Sequence, residues 1–417
     1  MQKYKNHVLI AIVMLLFGTL VATAQYKVTP FMNNFAGDPF NLGGNVSWVM
    51  SIFTFVGIIL AIPTGNLAKR FGPKNILIAA LGFVLVGTII GLVALAMGNG
   101  AILIVSRAVE GVAVIFTTIC GPLAVQKYVA PDKVGSATGI WALWVCLGSV
   151  VGGTLTPIIW SAFGGIEAGY SAIWYIAPWI IYAVITIIFA LLVMVIVKIP
   201  GEVKKKAADT AAEAAAGPQG HYKDLFNGNA IIFLIGWTLF NLSMLAMLNY
   251  TPTFLQDAGW DKTVAGFVST LPMLLAIISS PLFGWLTDKT GKYKVLVFIA
   301  FIVIGPCTWV MLTQSGPIIW VAAVIYGVVG MGAPVMFINC WNFVVGKPEL
   351  MAIGMGVLML VQSLGQFLGT FVSPFFLGPN MKDPGNFGVL AIAMLILAVI
   401  GSICVLITSY KSGKENA

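Results

Sequence analysis

Long apolar tracts divided by short polar breaks run along nearly the whole chain, and their lengths predict its elements. A helix needs about 20 apolar residues to cross hydrocarbon, where no backbone donor or acceptor can be left unpaired. Such tracts fall at 8–28, 46–67, 75–97, 101–126, 136–162 and 171–197, then at 230–255, 264–287, 295–313, 317–342, 351–377 and 387–409. The prediction is an all-α membrane protein with twelve transmembrane helices. The one long hydrophilic run, from Ile199 to Asp224, lies between the sixth and seventh tracts, and its charges, helix breakers and small residues cannot bury apolar area. The chain therefore divides into a six-helix bundle at 1–197, a linker at 198–228 and a second six-helix bundle at 229–417. The first tract imitates a cleaved leader, with Lys3 and Lys5 ahead of it and Ala22-Thr23-Ala24 behind. It reads as a true span, because the apolar run continues through Gln25 and Tyr26 and the count of six plus six needs it.

Composition agrees with the pattern. Of the 417 residues, 59% are hydrophobic and 9% charged, too few polar groups to cover a soluble body of that size. The formal charge of +8 is not clustered with base-stacking aromatics, which argues against nucleic acid as a partner. All five cysteines, Cys120, Cys146, Cys307, Cys340 and Cys404, sit inside apolar tracts without metal-site spacing and read as small hydrophobes.

Lysine and arginine set the expected orientation. With the N-terminus inside, 18 of the 22 basic residues face the cytoplasm and only Lys27, Lys262 and Lys382 face outward, with Arg107 left within a span. This asymmetry places both termini and the linker in the cytoplasm of a multi-pass cell-membrane protein.

The halves echo each other. Gly65-Asn-Leu-Ala-Lys-Arg-Phe-Gly-Pro-Lys74 joins the second and third spans, and Gly284-Trp-Leu-Thr-Asp-Lys-Thr-Gly-Lys-Tyr-Lys294 joins the eighth and ninth. Each reads as a glycine closing a helix, a tight turn and a cationic cluster, a repeat signal. Through these loops the chain resembles the major facilitator superfamily over essentially its whole length. The signature G-x-L-a-D-r-x-G-r-k is matched at Gly65, Leu67, Arg70, Gly72 and Lys74, and again at Gly284, Leu286, Asp288, Lys289, Gly291 and Lys292. Arg107-Ala-Val-Glu-Gly111 matches the family's R-x-x-q-G motif in the fourth span, with Glu110 in the q place. The resemblance implies two bundles rocking around a site at mid-membrane, with the first, fourth, seventh and tenth spans lining a central cavity. Two departures stand out: Lys69 replaces the acid of the first loop, and Gly148-Ser-Val-Val-Gly152-Gly-Thr-Leu-Thr-Pro157 only partly follows the fifth-span motif of proton-driven exporters.

Arg107 is the only basic residue inside a predicted span, about a third of the way in from the outer surface, where a guanidinium needs a wet cavity or a partner. Two readings stand. In one, Arg107 pairs with Glu110 three residues on and binds first-span backbone. In the other, its forked donors hold an anionic substrate while Glu110 exchanges a proton. Gln25 and Tyr26, Asn241 and Tyr250, Tyr326, and Gln362 with Gln366 are polar groups near mid-membrane that either form interhelical hydrogen bonds or line the passage. Trp141 and Trp144 either stack on a flat substrate or pack in the bundle. Glycines at 148, 152 and 153, and at 354, 356, 365 and 369, allow close helix approach, and prolines such as Pro157 and Pro334 mark kinks.

No nucleophile–base set, metal spacing or phosphate loop occurs, so no enzyme activity, metal or cofactor is expected. The expected function is secondary transport of a small organic anion, a monocarboxylate, by alternating access. It would be driven by proton symport or by antiport of two anions, and a monomer suffices because one chain supplies both halves of the pathway. Proton-driven export of a hydrophobic drug or metabolite is the alternative, and a non-transporting sensor that keeps the carrier fold is a third. Nitrate transport that uses arginines in both halves finds no cation in the last six spans.

Overall fold

The computed structural model describes residues 7–128, 137, 140–163, 172–196, 226–345, 351–377 and 384–409, nearly all helical with no strand among them. The first bundle holds α1 (His7–Tyr26), α2 (Trp48–Phe71), α3 (Pro73–Met97), α4 (Gly100–Tyr128), a segmented α5 and α6 (Ala172–Ile196). The second holds α7 (Gly228–Asp257), α8 (Lys262–Thr290), α9 (Tyr293–Thr313), a divided α10, α11 (Met351–Leu377) and α12 (Pro384–Ile407). Eleven stretches are long and apolar enough to cross a bilayer, and α6 adds an apolar stretch at Ile176–Phe189. The twelve helices form two six-helix bundles. Residues 198–225 of the expected linker lie outside the described residues.

Local sequence explains the helix ends. Asn227 and Asp261 cap α7 and α8 by accepting from backbone N–H groups of the first turn. At the two repeated loops the expectation needs correcting. Gly65 and Gly284 lie within α2 and α8, which run on to Phe71 and Thr290. The closing residues are Gly72 (φ 78°) and Gly291 (φ 70°), whose N–H groups donate to Ala68 and Thr287 carbonyls. Only glycine takes that left-handed conformation without strain. Arg70, Lys289 and Lys292 are exposed beyond the bundle, and Lys74 is half-buried. The side chains of Lys69 and Asp288 lie outside the described set, and with them the pairing on which the first departure bears.

Two spans expected as single helices are interrupted. The fifth, α5, is Trp144–Val150, a π-helical turn at Val151–Leu155, then Thr156–Ala162. The tenth, α10, is Ile318–Val328, a 3-10 turn at Gly330–Gly332, then Ala333–Val345. Glycine pairs and a following proline make both breaks cheap, since they weaken the ladder where a turn can widen or tighten.

Small residues set the packing. A Cβ on Gly87 would meet the Glu110 side chain at 2.5 Å, and one on Gly111 would meet the Phe53 carbonyl at 2.9 Å, so α3 and α2 both lie directly against α4. Gly365 and Gly369 do the same for α11 against α7. The halves meet along α2 with α11 and along α5 with α8. In the first seam Trp48 packs on Phe371 with centroids 4.8 Å apart and Phe55 on Phe367 at 5.3 Å. In the second, Gly266 lies against the backbone of Gly153.

A 3-10 turn (Thr29–Phe31) and a short helix (Met32–Ala36) follow α1. Among the described residues, hydrogen bonds that join the halves there include Asn33 Nδ2 to Asp257 Oδ1 (3.1 Å), Gln256 Nε2 to the Pro30 carbonyl (3.2 Å) and Lys262 Nζ to Asn34 Oδ1 (2.6 Å).

Candidate functional site

The buried charges of the first bundle converge on one cluster. Glu110 on α4 accepts from Lys27 Nζ at 2.6 Å and Thr88 Oγ1 at 2.9 Å through one carboxylate oxygen, and from Arg107 Nη1 through the other. Lys27 is 1% exposed, and Arg107 and Glu110 are 0%. The Lys27 ammonium lies 4.8 Å from the Trp179 ring and 4.5 Å from the Tyr182 ring, both on α6, and Arg107 lies 4.5 Å from Phe53 on α2. Such faces stabilise a cation where water is excluded. The helices that supply the parts are α1, α2, α3, α4 and α6, so the cluster sits inside the first bundle.

Arg107 serves the protein itself in this conformation. Its Nε donates to the Val49 carbonyl (3.1 Å), Nη1 to the Ala24 carbonyl (2.6 Å) and Nη2 to the Gln25 carbonyl (2.9 Å). Its donors are engaged here by carbonyls at the adjoining ends of α1 and α2 and by Glu110. The packing reading of Arg107 and Glu110 matches the geometry, since the i,i+3 spacing brings the two side chains together.

Lys27 departs from the sequence reading. The sequence reading sets it among outward-facing loop cations, which makes Arg107 the single cation within a span. The chain does not reach water after Tyr26: the apolar tract resumes at Val28 and the membrane-length stretch extends from Leu9 to Ala36. That resumption, Val28-Thr-Pro-Phe-Met, is the signal in the sequence that places Lys27 inside. With Lys27 included, two basic side chains face one carboxyl group, a formal excess of one positive charge.

The other candidate residues do not gather around it. Gln25 joins through its backbone carbonyl, and Tyr26 is buried. Tyr250 donates to the Thr370 carbonyl at 2.7 Å, and Gln366 Nε2 reaches Asn241 Oδ1 at 3.4 Å, both linking α7 to α11. Tyr326 is fully buried in the second bundle, and Gln362 is half-buried on α11. Trp141 and Trp144 have centroids 5.8 Å apart and fill the surfaces of Gly121 on α4 and Gly18 on α1. They pack in the bundle, one of the two arrangements open to them. Among the described residues no group of three or more His, Cys, Asp or Glu side chains gathers as metal ligands would.

Comparison with known proteins places this architecture. The chain is 22% identical over 369 residues to the agnestins efflux protein AgnL12 of Paecilomyces divaricatus, covering 88% of this chain and 78% of that protein. It is 27% identical over 280 residues to a probable nitrate transporter, NarT, of Staphylococcus haemolyticus, covering 66% of each, just under two thirds of the relative's length. In fold it is similar to a bacterial homologue of the human lysosomal transporter Spinster in an inward-facing, occupied conformation, with a TM-score of 0.75 at 15% identity over 98% of this chain and 97% of that one. The model of the Major Facilitator Superfamily matches residues 12–370, and the chain belongs to that family of membrane transporters.

Proposed function

We propose that this transporter carries a small monovalent organic anion by alternating access, coupled to a proton exchanged within the Lys27–Arg107–Glu110 cluster. The observation that carries the reading is the cluster's uncompensated positive charge, sealed in low dielectric. A unit charge about 10 Å away at an effective dielectric of about 20 contributes about 1.7 kcal/mol to an anion's binding without contact. Arg107 therefore acts by field and by position, not as a fork. The staphylococcal relative, a probable nitrate transporter, supports an anionic cargo. Anion exchange without a proton is the simpler form of the same reading. The lysine and arginine distribution supports cytoplasmic termini. The division at 198–228 and a monomer as the working unit complete the proposal.

A second reading, export of a hydrophobic compound, is favoured by the full engagement of Arg107's donors and by the efflux relative. Liposome counterflow separates the two. Purified protein is reconstituted and preloaded with nitrate, formate, acetate or lactate, and exchange of the same labelled anion is followed. Exchange that disappears in Arg107→Ala supports anion transport. Absence of exchange for all four, with accelerated efflux of a lipophilic dye under a proton gradient, replaces it with the export reading.

A further inference from the structure

We propose that Phe31, Trp160 and Asn34 form a binding site for a primary ammonium ion, which the protein fills with its own Lys262 while the halves are together. The site is independent of the cargo.

Its walls come entirely from the first half. Phe31 ends the turn that follows α1, Asn34 lies in the short helix after it, and Trp160 belongs to the last segment of α5. The two rings stand 77° apart with centroids at 5.6 Å, and they are 1% and 4% exposed. Phe31 also packs on Phe35, with centroids 6.4 Å apart. These contacts are internal to the first half, so the corner is held without help from the second. Two aromatic walls and one amide oxygen supply what a primary ammonium needs in a partly dry place: rings that attract its charge and an acceptor for one N–H.

The occupant comes from the other half. Lys262 Nζ lies 4.4 Å from the centroid of Trp160 and 4.9 Å from that of Phe31, and it donates to Asn34 Oδ1 at 2.6 Å. Lys262 is the first residue of α8, where the positive end of the helix dipole disfavours a cation. The neighbouring carboxylate, on Asp261, is turned to cap the N–H groups of Thr263 and Val264. What seats the ammonium is therefore the corner across the seam.

Walls and occupant separate if the halves part, and the corner then opens to an ammonium from solution. Such an ion competes with a tethered lysine whose effective concentration is on the order of millimolar. While it is bound, Lys262 cannot reseat, so external primary amines slow reclosing without being carried. The acceptor and the rings set the selectivity. A quaternary ammonium has no N–H for Asn34, and a neutral alcohol has no charge for the rings.

Lys262→Ala removes the equivalent of n-propylammonium from the corner, which makes that ion the probe. Purified wild type, Lys262→Ala and the double variant Lys262→Ala/Trp160→Leu are heated in detergent at neutral pH with increasing n-propylammonium. Tetramethylammonium and n-propanol serve as controls. The probe should raise the unfolding temperature of Lys262→Ala saturably, at a half-effect concentration at least about tenfold below that for wild type, where the tethered lysine competes. The controls, and the probe on the double variant, should give no saturable rise. Equal responses of wild type and Lys262→Ala, a rise that survives Trp160→Leu, a matching rise with either control, or no rise in Lys262→Ala overturns the site. If Lys262→Ala does not fold, a Thr29→Cys reporter in the otherwise native chain decides, since Thr29 is buried beside the corner in this conformation. Its labelling by an impermeant maleimide should quicken about tenfold in n-propylammonium well above the tethered lysine's effective concentration, and not in tetramethylammonium. Labelling at one rate in both ions overturns the proposal.

Discussion

Gly266 on α8 and Gly153 on α5 meet backbone to backbone, so that a Cβ on Gly266 would lie 2.1 Å from the Gly153 carbonyl oxygen. The two residues belong to different halves, so the contact would be lost if the halves parted at this end. No rotamer relieves a clash between a Cβ and a carbonyl, so any side chain here acts as a wedge.

Gly266→Ala is accordingly expected to hold that end open. The reporter is Thr29→Cys, at a position that is buried when the end is closed. In the alanine background a membrane-impermeant maleimide should label the introduced thiol quickly, and counterflow should fall about tenfold or more, since closing now opposes a steric barrier of over about 1.4 kcal/mol. Gly388→Ala is the control, because a Cβ there meets nothing within 4 Å. Unchanged labelling and transport in Gly266→Ala would show that the glycine contact is not a gate.

Charge counting in the buried cluster orders two other substitutions. Lys27→Met leaves a neutral Arg107–Glu110 pair, whereas Glu110→Gln leaves two cations without a carboxylate. Removing one partner of a buried ion pair costs about 3–5 kcal/mol, and Glu110→Gln should reach that range while Lys27→Met falls below it. Denaturation of the purified proteins in detergent measures both. A methionine variant less stable than the glutamine variant would mean that the cluster's net charge has been miscounted.

Arg107→Lys separates charge from geometry. Lysine keeps the positive charge but cannot span the Val49, Ala24 and Gln25 carbonyls that the guanidinium satisfies together. Each buried carbonyl left without a donor costs about 1–3 kcal/mol, so the variant should lose several kcal/mol in the same denaturation assay despite its unchanged charge. A loss under about 1 kcal/mol would assign Arg107 a purely electrostatic role.

How much of this was legible in the chain follows from what hydropathy and spacing encode. Twelve spans were visible because hydrocarbon thickness sets a minimum apolar length, and the Arg107–Glu110 contact because three residues along a helix return to one face. Lys27 was not, because a lone cation after an apolar run resembles a loop residue until the apolar residues that follow it are seen to fold back into the membrane. Trp141 and Trp144 were ambiguous for a different reason: spacing states that they share a helix, and only the placement of Gly18 and Gly121 opposite them decides that they pack. The breaks in α5 and α10 arise from glycines and prolines that were each visible, but whether such residues bend a helix or end it depends on what packs against them.

Lys262 supplies the last test. It opens α8, yet its ammonium reaches into the other half, 2.6 Å from Asn34 Oδ1 and 4.9 and 4.4 Å from the Phe31 and Trp160 rings. Those contacts are lost when the halves part at this end, so they bias the equilibrium toward closure by their own worth. A charged hydrogen bond contributes about 1.5–3 kcal/mol and a partly desolvated cation–aromatic contact about 0.5–2 kcal/mol. Lys262→Met keeps the apolar stem and deletes the charge. It should speed maleimide labelling of the Thr29→Cys reporter by about tenfold to a hundredfold, each factor of ten corresponding to about 1.4 kcal/mol, while Lys262→Arg, which can still donate to Asn34, should lie between methionine and wild type. Labelling of the methionine variant at the wild-type rate would mean that Lys262 merely rests on a gate held shut by the packing of α5 on α8.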